Sequence, residues 1–133
     1  MGTLIDSSIL IAAERGSLDM ARLLKESGDI GLAISAVTAA ELLHGVHRAS
    51  TKHQKALREA FIERLLELWP ALPFDLTAAR MHARLWAGLS AKGVSIGSHD
   101  LMIAATALAN GLALATRDKR SFLKVPGLKV LHW

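Results

Sequence analysis

Residues 3–11, Thr3-Leu4-Ile5-Asp6-Ser7-Ser8-Ile9-Leu10-Ile11, set a short apolar run against an acid and a pair of serines. Thr3 to Asp6 reads as a strand. Ser7 and Ser8 are N-cap residues for a helix that runs to about Glu14, with Gly16 as its stop. The same alternation recurs downstream. Ser17 opens a second short helix in which Leu18, Ala21, Leu24 and Lys25 give a partly apolar face ending at Gly28. Ile30 to Ile34 is the next strand, and Ser35 caps a helix from Val37 to Arg48 with the stripe Val37, Ala40, Leu43 and Val46. Thr51 to Leu68 is the longest helix, with Leu57, Phe61, Leu65 and Leu68 on one side.

The second half keeps the pattern. Pro70 and Pro73 bracket Trp69 to Phe74, which must be an edge strand because proline cannot donate to a ladder. Asp75 or Thr77 begins a helix with Ala79, Ala83 and Trp86 inward, stopping near Gly93. Ser98 caps a helix from Asp100 to Asn110 that is apolar nearly all round and is therefore central, and Asn110-Gly111 suits its C-terminus. Leu112 to Ala115 and Leu128 to Leu131 are the last strands. Helices interleaved with short apolar strands predict an α/β fold in three layers, α/β/α, on a central parallel sheet of about five short strands.

The 133 residues fit one domain, taken as 1–133, with no linker, repeat or low-complexity tract. With no Cys, thiolate zinc sites, disulfide scaffolds and cysteine nucleophiles are excluded, and 51% hydrophobic residues argue against disorder. No secretory signal is read at the N-terminus, and the apolar run Leu101 to Thr116 is shorter than the ~20 residues that span a bilayer. A soluble, cytoplasmic chain without a membrane partner is expected. Sixteen Lys and Arg stand against 12 Asp and Glu, for a net charge of +4. Gathering four of the acids into one pocket leaves a distinctly basic body around it, which suits an enzyme of nucleic acids.

Ligands of open parallel sheets bind beyond the carboxyl ends of the strands. Asp6 ends the first strand, Asp118 follows the fourth, Asp100 opens the helix leading into the fourth, and Glu41 lies on the helix after the second. Such a gathering of carboxylates is tolerable at neutral pH around a hard cation, and oxygen-only ligation suits Mg2+ or Mn2+. Each acid also has a plain alternative: Asp6 and Asp100 as helix caps, Glu41 as a solvated helix residue, Asp118 as a turn former. His44, His47 and His53 suit a surface or dimer contact better than a metal cluster. His82 and His132 read as structural, and Trp69, Trp86 and Trp133 as core or interface residues rather than base-stacking platforms.

Four blocks of sequence resemble PIN domains over the whole chain, and closely the VapC toxins of bacterial toxin-antitoxin modules. They are Leu4-Ile5-Asp6-Ser7-Ser8 with Ile9 to Ile11, Ile34 to Gly45, Ile96 to Ala105, and Ala115 to Phe122 with Val125 to Leu128. The resemblance implies that Asp6, Glu41, Asp100 and Asp118 form an acidic quartet that binds Mg2+ or Mn2+ and supports endoribonuclease cleavage. It implies supporting roles for Thr116 and Ser8, and an attack by metal-activated water that leaves 5'-phosphate and 3'-hydroxyl ends. Arg117, Lys119 and Arg120 flank the fourth acid and suit RNA phosphates. Implied partners are an RNA substrate, a VapB-type antitoxin on the groove of the first two helices and the long helix, and a second copy through Asp75 to Lys92, with a higher toxin-antitoxin assembly beyond the homodimer. Two positions depart from the pattern. Ser121 stands where many relatives have an additional Asp, and His99 has no family role. The Ser121 departure keeps open a catalytically weak module that binds RNA or protein. A receiver-type signalling domain lacks its lysine, since Ala115-Thr116-Arg117 does not supply one.

Overall fold

A computed structural model describes residues 2–27 and 31–133, apart from the side chains of residues 23, 24, 26 and 27. The expected helix stop at Gly28, the strand start at Ile30 and the Leu24 side chain lie outside the described residues. The elements are β1 (Thr3–Ile5), α1 (Ser7–Glu14), α2 (Met20–Ser27), β2 (Leu32–Ser35), α3 (Ala36–His47), α4 (Lys52–Leu68), β3 (Ala71–Leu72), α5 (Leu76–Ala91), α6 (Ser98–Ala109), β4 (Ala113–Thr116) and β5 (Val130–His132). A 3-10 turn, Phe122–Lys124, lies between the last two strands.

All strand pairs are parallel, in the order β3-β2-β1-β4-β5. The register places Leu4 between Ala33 and Leu114, and Ile5 beside Ala115. Successive residues of a strand point to opposite faces, so each short strand supplies both sides of the sheet. Leu4, Ala33 and Leu114 pack with Leu85, Leu89, Leu101 and Ile103 of α5 and α6. Ile5, Ile34 and Ala115 pack on the other face with Ile9, Leu10, Leu42 and Ile62 of α1, α3 and α4. The expected three-layer α/β/α fold with five parallel strands is the observed one. Pro70 and Pro73 confine β3 to the sheet edge, as expected.

The helix starts follow the capping residues: Ser35, Thr51 and Asp75 accept from the N–H groups of Thr38, Gln54 and Ala78. Ser98 does not cap α6. It is the first helical residue, preceded by Gly97 with no side-chain cap. Gly111 takes φ +64 behind α6, the left-handed conformation a glycine allows at a helix end.

Three apolar stripes are rotated from their expected phase. On α3 the buried residues are Thr38, Ala39, Leu42 and Val46, and Ala40 is exposed. On α4 they are Ile62 and Leu65, whereas Leu57 and Leu68 are 59% and 56% exposed. On α5 they are Ala78, Leu85 and Leu89, whereas Ala83 is exposed and Trp86 is 61% exposed. No described helix is long and apolar enough to cross a membrane.

Candidate active site

Asp6 follows β1 in the middle strand of the sheet and occupies the N-cap position of α1 without making a capping bond. Its carboxylate is instead held from the side. The Ser8 hydroxyl donates to Asp6 Oδ2 at 2.7 Å and the Thr116 hydroxyl, at the end of neighbouring β4, donates to the same oxygen at 2.8 Å. Each hydroxyl then accepts a backbone N–H from the loop after β4, Arg117 N–H at Ser8 Oγ and Asp118 N–H at Thr116 Oγ1. With both hydroxyl protons directed at Asp6, the 3.2 Å approach of Ser8 Oγ to Thr116 Oγ1 is a contact between two donors to a shared acceptor. Asp6 and Thr116 are buried, at 4% and 0% exposure. No hydrogen bond from the described residues falls on Asp6 Oδ1.

Around this centre stand acids from three other elements. Glu41 lies on α3 beyond β2, and Asp100 in the first turn of α6. Burial, then the charge of Asp6, raises the Glu41 carboxyl above its ordinary pKa; the charge of Asp100 adds to this, and His99 and the Ser7 hydroxyl draw it back. Asp100 is raised for the same two leading reasons, burial and Asp6, with Asp118 adding and Ser121 and His99 opposing. Asp118 moves the other way. It accepts the Arg120 N–H at 2.7 Å and the Ser121 N–H at 3.2 Å, and the first of these leads in holding its carboxyl below the ordinary range. These mutual influences place Asp6, Glu41, Asp100 and Asp118 on one rim of the molecule.

Sequence reasoning missed three participants. His99 Nδ1 lies 3.8 Å from Glu41 Oε2, joining α6 to α3 across the rim. Ser121, where an additional acid was sought, puts its hydroxyl beside both Asp100 and Asp118. Ser7 faces Glu41. Their signal in the sequence was slight: His99 and Ser7 adjoin Asp100 and Asp6, and Ser121 lies three residues after Asp118. Arg117, Lys119 and Arg120 have exposed side chains on the loop around Asp118. His44, His47 and His53 are likewise exposed, and among the described residues no three His, Asp or Glu side chains are drawn together tightly enough to enclose a metal ion.

Whether the acids suit a divalent cation is answered by Glu41 Oε1, which is buried with no hydrogen-bond partner among the described residues. A buried, unpaired carboxylate oxygen is costly on its own and suits a cation or a cation-bound water as its partner. A hard divalent cation that keeps several of its waters needs only one or two carboxylates directly, which this set can supply.

The model of the PIN domain family matches residues 3–128. The chain belongs to the PIN-domain family. Within it the chain is similar to ribonuclease VapC1 of Rickettsia felis, with 38% identity over 132 residues that cover 98% of this chain and 96% of that protein. It is 33% identical to the tRNA(fMet)-specific endonuclease VapC of Salmonella typhimurium over 77% of this chain and 75% of that one. The crystal structure of VapBC2 from Rickettsia felis bound to a promoter DNA fragment superposes with a TM-score of 0.89 at 26% identity, covering 100% of this chain and 99% of the matched one. The likeness therefore places the PIN domain in the VapC branch of the family and runs nearly end to end.

Proposed function

We propose that this PIN domain, taken as one domain over 1–133, is a VapC-type endoribonuclease toxin that hydrolyses RNA phosphodiester bonds and is neutralised by a VapB-type antitoxin. Asp6, with Glu41, Asp100 and Asp118 around it, supplies the site. The observation that carries the reading is the buried Asp6 carboxylate, fixed by the Ser8 and Thr116 hydroxyls at 2.7 and 2.8 Å, with Glu41 and Asp100 beside it, both raised by burial and then by the Asp6 charge. Support from outside the chain is its likeness to proteins named as VapC ribonucleases and to a VapBC complex.

Mg2+, or Mn2+ in its place, would be held by Asp6, Asp100, Glu41 and Asp118, directly or through water, and would supply Lewis acidity and charge neutralisation at the phosphate. The chain's own residues prepare the rest. Ser8 and Thr116 hold Asp6 in one orientation, an arrangement that costs no reorganisation when charge develops. Burial and the Asp6 charge raise the Glu41 and Asp100 carboxyls, which suits proton acceptance beside the centre, while backbone N–H groups hold the Asp118 carboxyl low. Arg117, Lys119 and Arg120 hold phosphates of the strand. The product ends expected are 5'-phosphate and 3'-hydroxyl. A second copy docks through α5, where Trp86 meets His82 in a tilted ring contact with centroids 5.6 Å apart yet remains 61% exposed.

The test is incubation of antitoxin-free protein with total cellular RNA, with Mg2+ or Mn2+ and with chelator, alongside Asp100→Asn. Discrete metal-dependent fragments that the variant does not produce are expected. Intact RNA under every condition from folded wild-type protein would favour the non-cleaving binding module.

A further inference from the structure

A cavity of ≈ 490 Å³ opens between α1, α3 and α4, and Glu41 forms part of its wall. Three arginines far apart in sequence line it: Arg15 at the C-cap of α1, Arg48 at the C-cap of α3, and Arg58 on α4. Arg58 is engaged within the fold. Its Nε lies 3.6 Å from Glu14 Oε1 and its Nη1 donates to the Gly45 carbonyl at 3.1 Å. Glu14 is thereby offset, and the walls retain Arg15 and Arg48, both exposed and without a side-chain partner among the described residues. At 1.5 Å per helical residue, Arg48 stands about 10 Å along α3 from Glu41.

The sheet order gives this cavity its direction. Asp6 follows the middle strand; the loop with Arg117, Lys119 and Arg120 follows β4 on one side, and Glu41 with the arginine cavity follows β2 on the other. Cations on both flanks of an acidic centre suit a ligand that carries regularly spaced negative charges past that centre. A single phosphate or a mononucleotide needs only one flank. Guanidinium groups also present paired donors that match phosphate oxygens.

We propose that the Arg15–Arg48 cavity is a phosphate subsite that grips the RNA strand next to the scissile bond, on the side of the centre opposite Arg117 to Arg120. The inference rests on the endoribonuclease reading and adds to it a path for the substrate. Arg15 and Arg48 are binding residues in this scheme, so their loss acts on affinity and its salt dependence and leaves the chemical step.

The experiment measures binding of a fluorescein-labelled single-stranded RNA 20-mer by anisotropy, in chelator, from low to moderate salt. Wild type is compared with Arg15→Ala/Arg48→Ala, Arg15→Lys/Arg48→Lys and, as a control on α5, Arg84→Ala. Each phosphate contact to a single strand contributes about 0.7 to the slope of log K against log salt. The alanine pair is therefore expected to flatten the slope by about 1.4 and weaken binding severalfold, with the lysine pair keeping most of the slope and Arg84→Ala unchanged. If the alanine pair fails to fold by circular dichroism, each single alanine variant should flatten the slope by about 0.7. An unchanged slope in the folded alanine variants, with wild type binding well, overturns the subsite and leaves the nuclease reading intact; reduced inhibition by antitoxin in that case would assign the arginines to the protein partner. Wild-type protein that binds no RNA at any salt overturns the reading on which the subsite rests.

Discussion

The Thr116 hydroxyl donates to Asp6 Oδ2 and accepts the Asp118 N–H, so Thr116→Val keeps the side-chain shape and removes both bonds. Partners of this kind cost roughly 10- to 100-fold in metal affinity or activity when lost, and a stranded buried acceptor costs about 1–3 kcal/mol. Thr116→Val is expected to fall within those ranges in metal titration, RNA cleavage and urea unfolding, with Thr116→Ser close to wild type. Near wild-type cleavage by Thr116→Val would remove Thr116 from the site. Glu41 and Asp100, raised in the folded chain, bind protons more tightly there than in the unfolded one. Their contribution to stability is full below the ordinary carboxylate range and is lost as pH rises through the raised values. Asp118, lowered, contributes in the opposite sense, and its share is lost as pH falls through its depressed value. Removing charge at Asp100 therefore relieves the metal-free protein at neutral pH. Calorimetry should show a higher Tm for Asp100→Asn than for wild type without metal at pH 7, and a smaller rise on adding Mn2+. A lower metal-free Tm would contradict the repulsion. Of these residues, Asp6, Glu41, Asp100 and Asp118 were legible from strand ends and family blocks. The His99 approach to Glu41 was not, because it depends on how α6 packs beside α3.

Among the elements, α4 separates burial from mere hydrophobicity. Ile62 is 2% exposed in the core and Leu57 is 59% exposed on the opposite side. Ile62→Ala should cost about 2–5 kcal/mol in chemical denaturation, as large-to-small core changes do, whereas Leu57→Ala should stay within about 0.5 kcal/mol. Similar losses for both would mean that the helix is rotated from its observed phase. Helix starts were readable because Ser35, Thr51 and Asp75 each offer an oxygen to an orphan N–H at a fixed offset. Helix phase was harder. On α3 and α5 the small apolar residues surround much of the circumference, so Ala40 and Ala83 fit an inward stripe as well as Ala39 and Ala78 do. The sheet decides between them by offering Leu4, Ala33 and Leu114 on one face and Ile5, Ile34 and Ala115 on the other.

For the molecule as a whole, the proposed pairing through α5 draws on its exposed Trp86 and Leu76, at 61% and 66% exposure. Trp86→Glu is expected to shift the antitoxin-free protein from dimer to monomer in light scattering, with the far-ultraviolet spectrum unchanged; a dimer that persists would locate the contact elsewhere. The α/β/α plan was legible from the alternation of elements, since five short apolar strands leave a parallel sheet as the way to bury them. The strand order was not, because it depends on long-range pairing that no local pattern encodes. That pairing also sets when the centre comes into being. Asp6 is held by Thr116, 110 residues later, and β1 completes its second ladder only against β4. At roughly 5–20 residues per second of synthesis, a ribosome runs for roughly 5–20 seconds between the two. Throughout that interval a nascent chain has the Ser8 hydroxyl but not that of Thr116 to hold its first acid, so the cell making this protein meets a finished centre only once β4 and Thr116 have been made.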